Sequence, residues 1–119
     1  MEKEFVPYEE SLELKELGFD EPCFARYDGR GKHKGKIWYE MPNTGQDSIP
    51  VGDVLAPTFS QAFRWFRKKG YDVKVEKESA EVYFGFWWTG VAWSLIESGT
   101  YEEAELTCLR KLIQIVKEK

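Results

Sequence analysis

Tyr71-Asp72-Val73-Lys74-Val75-Glu76 alternates apolar with charged residues, and after Glu78-Ser79-Ala80 the chain continues as Glu81-Val82-Tyr83-Phe84-Gly85-Phe86-Trp87-Trp88. Thr89-Gly90 then leads into Val91 to Glu97. Alternation with period two marks a half-buried strand, and connections this short join only antiparallel neighbours. The segment 71–97 therefore predicts a three-stranded antiparallel meander.

A helix flanks the meander on each side. Thr58 is suited to an N-cap, and Phe59, Ala62, Phe63 and Phe66 recur at i, i+3, i+4 and i+7, so they share one face of a helix that ends at Gly70. Thr100 and Glu103 form a capping box, and Ala104, Cys108, Leu109, Leu112, Ile113 and Val116 supply the buried stripe of the last helix. Upstream, Pro7 suits a first helical turn and Gly18 a C-terminus, with Leu12, Leu14 and Leu17 as apolar contacts and Glu9, Glu10, Glu13 and Glu16 on the outer side. Residues 19–27 and Ile37 to Met41 read as two extended segments joined by the open, glycine-rich loop Arg26 to Lys36, which carries five cations and whose stretch Asp28 to Gly35 reads as mobile. The breaker-rich stretch 42–57 reads as a linker loop.

The predicted fold class is α+β: an antiparallel three-stranded meander packed with two helices (α-β-β-β-α), preceded by an N-terminal helix and a β-hairpin. With 119 residues and 42% hydrophobic composition, the chain reads as a single domain, 1–119, able to build a core without metal or disulfide. Its parts are residues 1–41, the loop 42–57 and the α-β-β-β-α core 58–119. No apolar run approaches the length of a membrane span, and no secretory leader opens the sequence, so a cytoplasmic location and two reduced cysteines, Cys23 and Cys108, are expected.

The net charge of -4 is unevenly spread. Residues 1–21 carry two positive and eight negative groups, residues 22–70 nine and four, and residues 71–119 six and nine. The chain thus lacks the cationic excess of a duplex nucleic-acid binder, although the middle segment could build a local basic face from Arg26, Arg30, Lys32, Lys34, Lys36, Arg64, Arg67 and Lys68.

Catalytic signals are sparse. His33 is the single histidine and lies between Lys32 and Lys34, where it reads as a solvated loop residue rather than a base held in fixed geometry. Two cysteines 85 positions apart offer no paired-ligand spacing for zinc, and Gly29-x-Gly31 lacks the Gly-Lys-Ser/Thr ending of a phosphate loop. No catalytic residue, cofactor or metal is expected.

The unusual feature is aromatic content: five Trp, six Tyr and eight Phe. If Val82, Phe84, Phe86 and Trp88 form the core face of the middle strand, Tyr83 and Trp87 point the other way, and with Trp93 from the next strand they form a candidate protein interface. The expected partner is another protein, with nucleic acid as the alternative, no membrane, and a monomer or weak homodimer.

Three resemblances bear on this. From Thr58 onward the order helix, three strands, helix resembles the double-stranded-RNA-binding domain, but the last helix opens with Glu102, Glu103 and Glu105 where that family carries a lysine cluster. The same helix, Thr100-Tyr101-Glu102-Glu103-Ala104, is similar to the last helix of antitoxin-like domains. More extensively, Phe5-Val6-Pro7-Tyr8, Leu14-Lys15-Glu16-Leu17-Gly18-Phe19, Leu55 to Arg67, Thr100 to Ala104 and Cys108 to Ile113 resemble a group of small uncharacterised proteins from phages and prophages of gut bacteria. That resemblance implies an accessory protein of mobile-element origin, so the expected partner is a host or phage protein, and it carries no catalytic residues over.

Overall fold

The computed structural model of the chain describes residues 4–39, 43–88 and 91–118. It is α+β, in two compact units, residues 1–62 and 63–119, with the boundary inside the second helix. The expected extension of a strand to Met41 and the turn at Thr89-Gly90 lie outside the described residues.

In the first unit, helix α1 (Tyr8–Glu16) follows Pro7 and ends at Gly18, whose φ of +97° favours glycine. The Gly18 amide donates to the Lys15 carbonyl and the Phe19 amide to the Leu14 carbonyl, while Leu14 and Phe19 are both buried. This is a Schellman C-cap with its apolar contact pair, built from Leu14, Gly18 and Phe19. Strands β1 (Ala25–Tyr27) and β2 (Ile37–Tyr39) pair antiparallel as expected. The stretch 42–57 is more than a linker, because it contains a 3-10 turn, Gln46–Ser48, and the short strand β3 (Val54–Leu55), which pairs with β1 and turns the hairpin into a sheet of order β2-β1-β3.

The loop between β1 and β2 is not an open connection. A 3-10 turn, Gly31–His33, closes it, and the Asp28 amide donates to the Lys36 carbonyl at 2.9 Å while the Gly35 amide returns to the Asp28 carbonyl at 2.7 Å. The core of the unit gathers Phe5, Ala25, Tyr27, Val54 and Ala56, with Tyr8, Leu12 and Ile37 packed against it. Backbone polar groups at this core are satisfied by the Tyr27 hydroxyl, which donates to the Val6 carbonyl at 2.6 Å, and by the Val6 amide, which donates to the Pro57 carbonyl at 2.8 Å. Glu10, expected on the outer side of α1, is instead buried.

Helix α2 (Phe59–Lys68) begins with a reciprocal capping box: the Gln61 amide donates to Thr58 Oγ1 at 3.2 Å and the Thr58 amide to Gln61 Oε1 at 2.9 Å. Phe59, Ala62, Phe63 and Phe66 are all buried, and Trp65, outside the expected stripe, is buried too. The helix ends on a second Schellman motif: Gly70, at φ +94°, donates to the Arg67 carbonyl, the Tyr71 amide donates to Phe66, and the Phe66 and Tyr71 rings meet edge-on at 6.3 Å.

In the second unit, β4 (Asp72–Ser79), β5 (Val82–Trp88) and β6 (Trp93–Ser98) form the predicted antiparallel meander, packed against helix α3 (Tyr101–Lys117). Thr100 caps α3 by accepting from the Glu103 amide at 3.1 Å, and Ala104, Cys108, Leu109, Leu112 and Ile113 bury the expected stripe except at its end, where Val116 is half-buried.

Candidate interaction surface

Which face of β5 meets α3 is decided by Gly85. A Cβ added there would lie 2.7 Å from Cys108 Sγ and 3.3 Å from both the Ala104 carbonyl oxygen and Ile96 Cδ1. Only a residue without a side chain lets α3 approach this closely, so Gly85 is the depression into which Cys108 fits. The alternation of the strand then turns Tyr83 and Trp87 toward α3 as well. Trp87 is 8% exposed, and the Tyr83 ring meets Tyr101 of α3 edge-on at 6.3 Å.

This reverses the orientation expected from the sequence, which set Val82, Phe84, Phe86 and Trp88 against the helices and left Tyr83 and Trp87 exposed. Tyr83 and Trp87 belong to the helix-facing side. Trp93 pairs with Trp88 in register and so lies on the opposite face from Trp87. It is 45% exposed.

The face turned away from α3 is ordered by the register into three cross-strand rows: Asp72, Trp88 and Trp93; Lys74, Phe86 and Leu95; Glu76, Phe84 and Glu97. Phe84, Phe86 and Trp88 are half-buried down its centre, and Leu95 at its edge is 58% exposed. Trp88 and Trp93 rings tilt together at 5.5 Å, and Phe84 meets Phe86 at 6.4 Å. Lys74 reaches across the middle, with Nζ 4.9 Å from the Phe86 ring centre and 5.4 Å from that of Trp93, and pairs with Glu76 at 3.2 Å. The result is an aromatic strip with one ammonium lying on it and carboxylates at its ends, a composition suited to a protein contact.

The basic residues are divided between the two units. Arg26 on β1 is held by buried Asp53, Nη1 to Oδ2 at 2.8 Å, and Arg67 on α2 by Asp72 at 2.7 Å. Asp53 also accepts from the Gly29 amide at 3.1 Å, so it ties the strand to its loop. Arg30, Lys32 and Lys34 are exposed on the turn, Lys36 lies over the Trp38 ring at 4.6 Å, and Arg64 and Lys68 are exposed on α2. The loop cations belong to the first unit, and Arg64, Arg67 and Lys68 to the second. A cavity of about 320 Å³ beside β2 is lined by Tyr27, Gly35, Lys36, Ile37 and Tyr39.

Both cysteines are free and buried. Burial, aided by Glu21, pushes the Cys23 thiol up to about 12, and burial, aided by Glu105, pushes Cys108 up to about 11. Both are therefore neutral thiols near pH 7, the inert rather than the nucleophilic state. On α3, burial together with the neighbouring Glu102 carboxylate raises Glu105 to about 7, and burial with Glu105 and Glu102 raises Tyr101. Among the described residues there is no group of three or more His, Cys, Asp or Glu placed to hold a metal, and no helix is long and apolar enough to cross a membrane.

No protein-family model matches the chain, and no curated protein or solved structure is detectably similar to it.

Proposed function

We propose that this chain is a non-enzymatic interaction module, a cytoplasmic accessory protein of phage or prophage type, that holds a host or phage protein on the face of its meander turned away from α3. The observation that carries this reading is the continuous strip Phe84, Phe86, Trp88, Trp93 and Leu95, aromatic and partly exposed, on a sheet whose other side is already covered by α3. Aromatic groups clustered on one surface concentrate binding energy, and their contacts weaken little with salt. Immobilised protein should retain from host extract a partner that withstands about 0.5 M salt and is lost with Trp93→Ser and Leu95→Ser, both at exposed positions. Equal retention by these variants would contradict the reading.

A second reading, nucleic-acid binding, is favoured by one observation: Lys36 stacks on exposed Trp38 beside the turn that bears Arg30, Lys32 and Lys34. A stacking ring among cations suits an unpaired strand. Binding of a mixed single-stranded oligonucleotide should then fall steeply with salt and weaken in Trp38→Ala, and no binding at about 50 mM salt would remove it.

A further inference from the structure

The cavity beside β2 joins a ring-lined wall to an open sheet edge and a basic turn. Strand alternation puts Tyr27, Ile37 and Tyr39 on one face of the first unit's sheet, and all three line the cavity. The rings are braced from behind: Phe5 meets Tyr39 edge-on at 5.5 Å, Tyr8 meets Tyr27 at 5.5 Å, and the Tyr27 hydroxyl is anchored on the Val6 carbonyl. The Asp28 amide donates to the Lys36 carbonyl and the Ala56 amide to the Ala25 carbonyl, so alternate residues of β1 bond to β2 and to β3. Arg26 and Trp38 therefore bond each other, and the amides and carbonyls of Ile37 and Tyr39 point away from β1, along the open edge of the β2-β1-β3 sheet. Gly35 and Lys36, also in the lining, close the turn Asp28 to Lys36. That turn carries Arg30, Lys32, Lys34 and Lys36 and one carboxylate, Asp28, which already accepts from the Arg30 amide at 2.9 Å. Lys32 and Lys34 are exposed.

We propose that this cavity binds a nucleoside 5′-phosphate, either free or as the phosphorylated end of a single strand. An unpaired base is held by a flat ring against its face and by donors and acceptors along its edge. Tyr39 with Ile37 supplies the first, and the outward amides and carbonyls of the same two residues supply the second. The phosphate needs cations, and Lys34 adjoins Gly35 of the cavity wall in sequence, with Lys32 one turn residue further on. A volume of about 320 Å³ falls at the lower end of the range of small-ligand sites, the scale of a mononucleotide rather than of a folded partner. An apolar peptide side chain would use the wall and leave the cations unmatched, so charge and planarity together select the nucleotide. The site lies on the opposite face of β2 from Trp38, which makes it independent of the Lys36–Trp38 pair and of the meander's aromatic face.

Titrating the full chain with AMP, CMP, GMP and UMP in turn should shift the amide resonances of Ile37 and Tyr39 with at least one of them at millimolar concentration or below. Tyr39→Ala should weaken that nucleotide and its nucleoside alike by about tenfold or more, the worth of one stacked base. Lys32→Glu with Lys34→Glu should weaken the nucleotide by about tenfold and leave the nucleoside unchanged. Both lysines are exposed, so their reversal reports on binding even where Tyr39→Ala fails to fold. Trp38→Ala should leave the nucleotide's affinity as it is. Tighter binding of a 5′-phosphorylated trinucleotide than of the mononucleotide assigns the site to a strand end, and equal or weaker binding to the free nucleotide. No shift of Ile37 and Tyr39 with any nucleotide, or an affinity indifferent to the lysine reversal, overturns the proposal. Loss of binding in Trp38→Ala with none in Tyr39→Ala also overturns it, moving the contact to the face of the second reading. None of these results bears on the Trp93→Ser capture, which tests the meander separately.

Discussion

Gly85 is the residue on which the orientation of the meander turns. Three neighbours limit what can replace it: Cys108 Sγ and Ile96 Cδ1, which can be removed by mutation, and the Ala104 carbonyl, which cannot. Gly85→Ala should cost about 1 to 3 kcal/mol, the usual range for overpacking a core, measured by denaturant unfolding. Adding Cys108→Ala should recover part of that loss, so the double-mutant cycle should show favourable coupling, and strictly additive costs would contradict the close approach. Glu105 supplies a pH test. The ordinary carboxyl value of 4.5 is raised to about 7 in the folded chain, so the folded state holds more protons than the unfolded one between those values. Its stabilising contribution is complete below 4.5 and is lost as pH rises through 7. The melting temperature of the parent should therefore fall relative to Glu105→Gln between about pH 4 and pH 8, and parallel curves would argue against the shift.

At the scale of elements, the helices owe their limits to local chemistry. Thr58→Ala should destabilise by about 1 kcal/mol through loss of the cap to α2, whereas Phe66→Ala should cost about 3 to 5 kcal/mol because the ring is wholly buried and also closes the C-terminal motif with Tyr71. A Phe66→Ala protein melting within a couple of degrees of the parent would displace α2 from the core. These elements were legible in the sequence because caps, glycine stops and 3.6-residue periodicity all agreed. β3 was not, since a two-residue strand inside a run of Pro and Gly has no period to read, and its existence rests on pairing with distant β1. Nor could periodicity alone orient β5, where large aromatics occupy both parities. The usable signal was Gly85, which marks the side of closest approach. Likewise the basic segment was visible as a charge count, but the pairing of Arg26 with Asp53, 27 positions away, was not.

For the whole molecule, the sheet within 63–119 has one face covered by α3, which holds the unit together, and one aromatic, partly exposed face, on which the proposed contact would lie. Substitutions on the second face should therefore separate stability from association. Trp93→Ser should change unfolding free energy by no more than about 0.5 kcal/mol, as surface substitutions usually do, while removing the partner. The opposite pattern, a large loss of stability with the partner retained, would make the strip part of the core. The most direct measurement reads the two faces together. In dilute protein with a soluble paramagnetic probe, the assigned indole resonance of Trp93 should relax strongly and that of Trp87 weakly. Comparable relaxation of the two, or stronger relaxation of Trp87, would contradict the placement of the contact face on which the account depends.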